Sequence, residues 1–177
     1  MLRSFFLIVM YGKQAYDSIK KTENIIKSGS QVRMLNEVGK KVTTSVESYF
    51  NEMGQFETLK NYEWEYILID DPDTLNAWCM PGGKIAFYTG ILDITENEDG
   101  MASVMGHEIA HAVAKHSLER ASQSLALKVG TTILDIALEG ALSSSSADDY
   151  LVNLGLTLPF NRLQESEADY VGLSFMT

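Results

Sequence analysis

Val104-Met105-Gly106-His107-Glu108-Ile109-Ala110-His111 is the stretch on which the reading of this chain turns. On a helix each residue advances by about 100°, so His111 returns to within about 40° of His107, one turn further along. Both imidazoles then project from one face and can bind a single zinc ion. Glu108 is rotated by about 100° from His107, which sets it beside such a metal, where it can take a proton from water as a general base. The same five residues also occur by chance on surface helices, where His and Glu merely face water. Here the flanking Val104, Met105, Ile109, Ala110, Ala112 and Val113 are uncharged, as a helix buried on most sides requires, and a buried His or Glu is costly without a partner.

A catalytic zinc takes three protein ligands and leaves one position open. His116 lies five residues past His111 and about 180° around the helix from His107. It therefore faces away, and no glycine between Ala112 and Lys115 bends the chain back, so His116 reads as a surface or helix-end histidine. Glu165-Ser166-Glu167-Ala168-Asp169 offers another source. Glu165 and Asp169 share a helical face, so Glu165 can ligate while Asp169 accepts a hydrogen bond from the distal nitrogen of a ligating histidine. Glu167 points elsewhere, towards solvent. An acidic helix start favoured by the helix dipole accounts for the same residues, and on spacing alone it is the stronger account.

Together these residues resemble a known family. His107-Glu108-Ile109-Ala110-His111 followed by Glu165-x-x-Ala168-Asp169, with Asn161-Arg162 just before, is similar to the gluzincin metallopeptidases, which include the heat-shock membrane protease HtpX, the CAAX prenyl protease, the mitochondrial OMA protease and soluble periplasmic peptidases such as BepA. Asn76-Ala77-Trp78-Cys79-Met80-Pro81-Gly82-Gly83-Lys84-Ile85, Tyr88-Thr89-Gly90-Ile91-Leu92, Val32-Arg33 and Val38-Gly39-Lys40-Lys41-Val42 resemble the soluble bacterial branch. The likeness runs from roughly Gly12 to Gly172. It implies that His107, His111 and Glu165 hold one zinc ion, that Glu108 is the catalytic acid and base, and that Asp169 orients a ligating ring. It also implies that an edge strand over Asn76 to Met80 holds an extended peptide, with Asn76 and Ala77 as substrate contacts. A turn residue capping a strand is the plainer account of Asn76.

Local pattern fills in the elements. Tyr66-Ile67-Leu68-Ile69, closed by Asp70-Asp71-Pro72-Asp73, reads as a strand ending in a turn. Leu75–Met80 and Ile85–Thr89 flank Pro81-Gly82-Gly83-Lys84, a hairpin turn in which glycine supplies positive φ. A small antiparallel sheet is thus expected before the zinc helix. Helices are expected over Gly12–Ile26 and Val32–Phe50, the second with apolar Val32, Leu35, Val38, Val42, Val46 and Tyr49 at spacings of three and four. Thr95 and Glu98 predict a capping box that starts the zinc helix near Glu96, with its end near Ala121. Leu125–Glu139 reads as an apolar helix and Ser143–Ser146 as a polar loop.

The expected fold class is α+β, zincin-like and mostly helical. One catalytic domain is expected over residues 12–177, behind an N-terminal tail at 1–11, and relatives of this family continue with further C-terminal helices. With 177 residues, 45% of them hydrophobic, the chain is long enough for a real core. A net charge of −10 argues against nucleic acid or an anionic membrane surface as partner. Cys79 alone forms no internal disulfide and reads as a small packed residue. The apolar run Phe5–Met10 falls short of a signal segment, and no stretch is long enough for a membrane helix. The soluble relatives point to a periplasmic or other extracytoplasmic site, membrane-associated in some cases. The expected activity is zinc-dependent endoproteolysis of unfolded or extended polypeptide, against which stands a noncatalytic or latent zinc domain that binds unfolded clients.

Overall fold

The computed structural model describes residues 2–116 and 162–176. Helix α1 spans Leu2–Thr22 and ends in Lys20 and Lys21, whose charges suit the negative end of the helix dipole. It begins well before Gly12, where the sequence placed its start. Gly12 instead lies inside the helix at a close approach, since a Cβ there would sit 2.8 Å from the Pro81 carbonyl oxygen. Ile25 and Ile26, read as the end of that helix, form a short strand β1. Helix α2, Ser30–Glu52, matches the expected amphipathic segment: Leu35, Val38, Val42 and Val46 are buried, and Val32 and Tyr49 lean on the same core.

Strands β2 (Glu65–Ile69), β3 (Ala77–Met80) and β4 (Lys84–Tyr88) complete a four-stranded sheet in the order β1-β2-β4-β3. The expected turn after β2 forms around Asp71, whose carboxylate accepts from the Asp73 amide at 3.1 Å and the Thr74 hydroxyl at 2.6 Å. The hairpin between β3 and β4 is antiparallel as expected, with Gly82 at φ 94° and Gly83 at φ 85° in its turn. The sheet is not purely antiparallel, however, because β2 and β4 run parallel, with Glu65 opposite Lys84 and Ile69 opposite Tyr88. The link after β2 carries the chain to the outer edge, where it lays down β3 and then folds back so that β4 fills the gap. A hairpin inserted in this way must bring its second strand beside β2 in the same direction.

Period-two alternation divides the strands between two faces. Ile67, Ile69, Trp78, Met80 and Ala86 face α1, packing with Ala15, Tyr16 and Ile19. Leu68, Ala77, Cys79, Ile85 and Phe87 face the opposite way, into the larger core. That second layer holds α2 and the helix α4, Glu98–Val113.

A short helix α3, Leu92–Thr95, precedes α4, which spans Glu98–Val113. The expected capping box does not form. Thr95 turns its hydroxyl back to the Leu92 carbonyl, Glu96 breaks the chain at φ 61°, and Asn97 caps α4 by accepting from the Asp99 and Gly100 amides. At the other end α4 stops at Val113 rather than near Ala121, because Ala114 closes it and Lys115 adopts a left-handed φ of 63°. The last described helix, α5, is Arg162–Ser174 and lies against α4. The segments Leu125–Glu139 and Ser143–Ser146 fall outside the described residues. The described residues form a mixed α and β structure, mostly helical, with one small mixed sheet.

Candidate metal centre

Helix α4 is buried nearly all round, through Met101, Met105, Gly106, Ile109, Ala110, Ala112 and Val113. That places its polar residues where they need partners. His107 and His111 stack edge to face, 4.7 Å between ring centroids, with their Nε2 atoms 3.0 Å apart. Glu165 reaches them from α5, with Oε2 3.3 Å from His107 Nε2 and Oε1 3.7 Å from His111 Nε2. The three ligand atoms lie within 4.8 Å of one another.

This donor set fits zinc. Bonds of about 2.0–2.2 Å in a tetrahedron put neighbouring donors roughly 3.3 Å apart, close to the observed spacing. Two imidazoles and a carboxylate are also a common catalytic zinc set.

What brings α5 to the site is a backbone crossing. Gly106 of α4 meets Gly172 of α5, and a Cβ on Gly172 would lie 3.0 Å from the His107 amide nitrogen and 3.1 Å from the Gly106 carbonyl carbon. Two glycines let the axes approach more closely than any side chain allows. Ala168, buried between Glu165 and Asp169, holds the same face of α5 inward.

Asp169 stands as its spacing from Glu165 predicts, accepting at Oδ1 from His107 Nδ1 at 2.9 Å. His107 is thereby fixed with Nε2 towards Glu165. Glu108 follows His107 on α4, and its carboxylate acts electrostatically on the Cys79 thiol of β3. Burial first, and Glu108 second, push that thiol well above its ordinary range. Cys79 is therefore a packed, protonated thiol, as the sequence suggested.

Strand β3 lies at the sheet edge. The Tyr88 amide donates to the Asn76 carbonyl at 3.1 Å, so with this register Ala77 and Cys79 turn their backbone groups away from β4. Asn76 also accepts the Ala77 amide at its own Oδ1, 3.0 Å away. That is the strand-capping contact the plainer account foresaw, and Ala77 itself is buried.

Two residues depart from their expected places. His116 is not on the surface: it is 3% exposed, with Nδ1 2.8 Å from His111 Nδ1. Helical geometry would turn it away, but the left-handed Lys115 ends the helix and swings the chain back under His111. Glu167, read as solvated, is largely exposed yet places Oε2 3.3 Å from His116 Nε2. Local pattern carried no signal for either, since a lysine seldom adopts positive φ.

A sequence model of peptidase family M48 matches residues 40–177. The chain belongs to peptidase family M48. Among its relatives is the mitochondrial metalloendopeptidase OMA1 of Schizosaccharomyces pombe, 41% identical over 119 residues, which cover 67% of this chain and 34% of that protein. The metalloprotease YcaL of Escherichia coli is 30% identical over 97 residues, 54% of this chain and 37% of the relative. A putative beta-barrel assembly-enhancing protease of Vibrio cholerae is 29% identical over 108 residues, covering 56% and 22%. The chain thus spans between about a fifth and just over a third of the length of these curated relatives. No helix among the described residues is long and apolar enough to cross a membrane.

Proposed function

We propose that this M48 chain carries, over residues 12–177, the catalytic domain of a zinc-dependent metalloendopeptidase of zincin-like, gluzincin fold. Its substrates are unfolded or misfolded polypeptides, and its setting is protein quality control in an extracytoplasmic compartment of the cell envelope. The observation that carries the reading is the convergence of His107, His111 and Glu165 within 4.8 Å beside Glu108, on a helix that faces an edge strand.

In this reading His107, His111 and Glu165 hold the metal. Zinc supplies Lewis acidity, polarising a scissile carbonyl and lowering the pKa of water towards about 7. Glu108 takes the proton from the attacking water and returns it to the leaving amine. Asp169 keeps the His107 ring in the tautomer that offers Nε2. The Ala77 carbonyl and the backbone groups of Cys79, which face away from β4, pair with an extended peptide as an added strand, with Asn76 at the head of β3 holding the Ala77 amide. Recognition through backbone groups gives modest side-chain selectivity, which suits unfolded clients. Support for the compartment comes from relatives whose names place them in mitochondria or in beta-barrel assembly.

The test is cleavage of casein by zinc-loaded protein beside Glu108→Gln at matched metal content. Cleavage that vanishes in the variant while zinc remains bound is the expected result. Zinc bound at one per chain with no cleavage by either protein would favour the noncatalytic zinc domain instead.

A further inference from the structure

His116 and Glu167 have no part in the mechanism above, yet they stand in line behind a ligand. His111 points Nε2 at His107 and Glu165 and Nδ1 at His116 Nδ1, 2.8 Å away. The rings of His111 and His116 meet at 69° with centroids 5.0 Å apart, and His111 and His116 are only 2% and 3% exposed. Beyond them, His116 Nε2 faces Glu167 Oε2 at 3.3 Å.

We propose that His116 is a positioning residue for the metal centre, passing a hydrogen-bond relay from His111 to Glu167. The proposal rests on the reading of His107, His111 and Glu165 as metal ligands. A ligating His111 gives the Nε2 lone pair to the metal, so its proton sits on Nδ1. That N–H needs an acceptor, and the atom facing it is His116 Nδ1. His116 must then carry its own proton on Nε2, and Glu167 accepts it. The two tautomers and the direction of both hydrogen bonds follow from one requirement. Helix α5 consequently serves the centre at three successive odd positions: Glu165 ligates, Glu167 steadies His111 through His116, and Asp169 steadies His107 directly. The two ligating rings are backed differently, His107 by a carboxylate and His111 by a buried imidazole.

Zinc affinity, measured by competition with a chromogenic chelator, and the visible spectrum of the cobalt-loaded protein together test the relay. Both are read alongside thermal melting of the metal-free proteins. Wild type binding one zinc per chain is the baseline, and failure to bind would overturn the metal-centre reading itself. His116→Leu removes the acceptor and is expected to weaken zinc roughly 10–100-fold and alter the cobalt bands. His116→Asn puts an oxygen near the place of Nδ1 and should recover affinity to within about threefold of wild type. Glu167→Ala, on the exposed flank of α5, tests the same line without disturbing the core and should weaken zinc about three- to tenfold. Unchanged affinity and cobalt spectrum in both His116→Leu and Glu167→Ala would overturn the relay. So would His116→Asn weakened as much as His116→Leu, since that outcome marks His116 as packing alone.

Discussion

At the scale of single residues, the site depends on which nitrogen of each imidazole is left free. Asp169 lies at the rim, with a side chain 70% exposed, so its removal leaves the core untouched and acts only through His107. Asp169→Ala is expected to weaken zinc roughly 10–100-fold, and Asp169→Asn, which keeps an acceptor oxygen, to weaken it less. Metal competition on the two variants checks the order. Cys79, buried against the same region, is expected to resist a thiol reagent such as iodoacetamide at pH 7–8 in the native protein and to react once the chain is unfolded. Rapid native labelling would contradict its burial. Residue identities foretold that His107 and His111 share a face, because they lie one turn apart on a single helix and need no tertiary information to do so. They foretold His116 poorly, because its position depends on one backbone angle.

Among elements, the crossing of α4 and α5 governs the geometry. Gly172→Val would drive a branched side chain into the His107 amide, separating Glu165 and Asp169 from the histidines. Overpacking of this kind costs about 1–3 kcal/mol of stability, and the metal site is expected to fail before the fold does. Loss of zinc binding at a temperature where circular dichroism still reports helix is the expected signature. The turn at Lys115 is the second control point. A β-branched residue tolerates φ 63° poorly, so Lys115→Val is expected to lower the melting temperature and loosen His116, whereas Lys115→Gly accommodates the turn. The helix start was only approximately legible: Thr95-x-x-Glu98 pointed to the right place, but the bend at Glu96 hands the cap to Asn97.

For the whole molecule, a metal held by His107, His111 and Glu165 would tie α4 to a helix more than fifty residues away in sequence, and so would link metal binding to folding. A ligand bound only by the native state at 100 times its dissociation constant adds about 2.7 kcal/mol, which for a chain of this size corresponds to roughly 5–10 °C in melting temperature. Chelation is expected to remove that increment, as calorimetry with and without EDTA would measure. Alkaline pH acts on both faces of the sheet. Tyr16, fully buried and with no hydrogen-bond partner for its hydroxyl among the described residues, is pushed above its ordinary range chiefly by desolvation. Cys79 on the opposite face is raised for the same reason. Raised acids hold their protons in the fold while the unfolded chain releases them, so their stabilisation is complete at neutral pH and is lost as pH rises past about 8.5 to 10. Denaturant titrations at pH 7.5 and 10 should show the fall, and Tyr16→Phe should reduce it.

The sequence by itself determined what is local. The paired histidines with Glu108, the amphipathic α2, the Asp71 turn and the glycine hairpin each arise from neighbours within a few residues, where backbone geometry is set by residue type. It also supplied Glu165 and Asp169 as a spaced pair, though on spacing alone an acidic helix start explained that pair better, and only the packing of α5 on α4 brings both carboxylates to the histidines. Only the tertiary structure decided that β2 and β4 run parallel, that Gly106 and Gly172 touch, and that His116 and Glu167 stand behind His111. Strand order, a helix crossing and a single left-handed residue are all fixed by contacts between distant segments. No periodicity in the chain records which of its distant parts will meet.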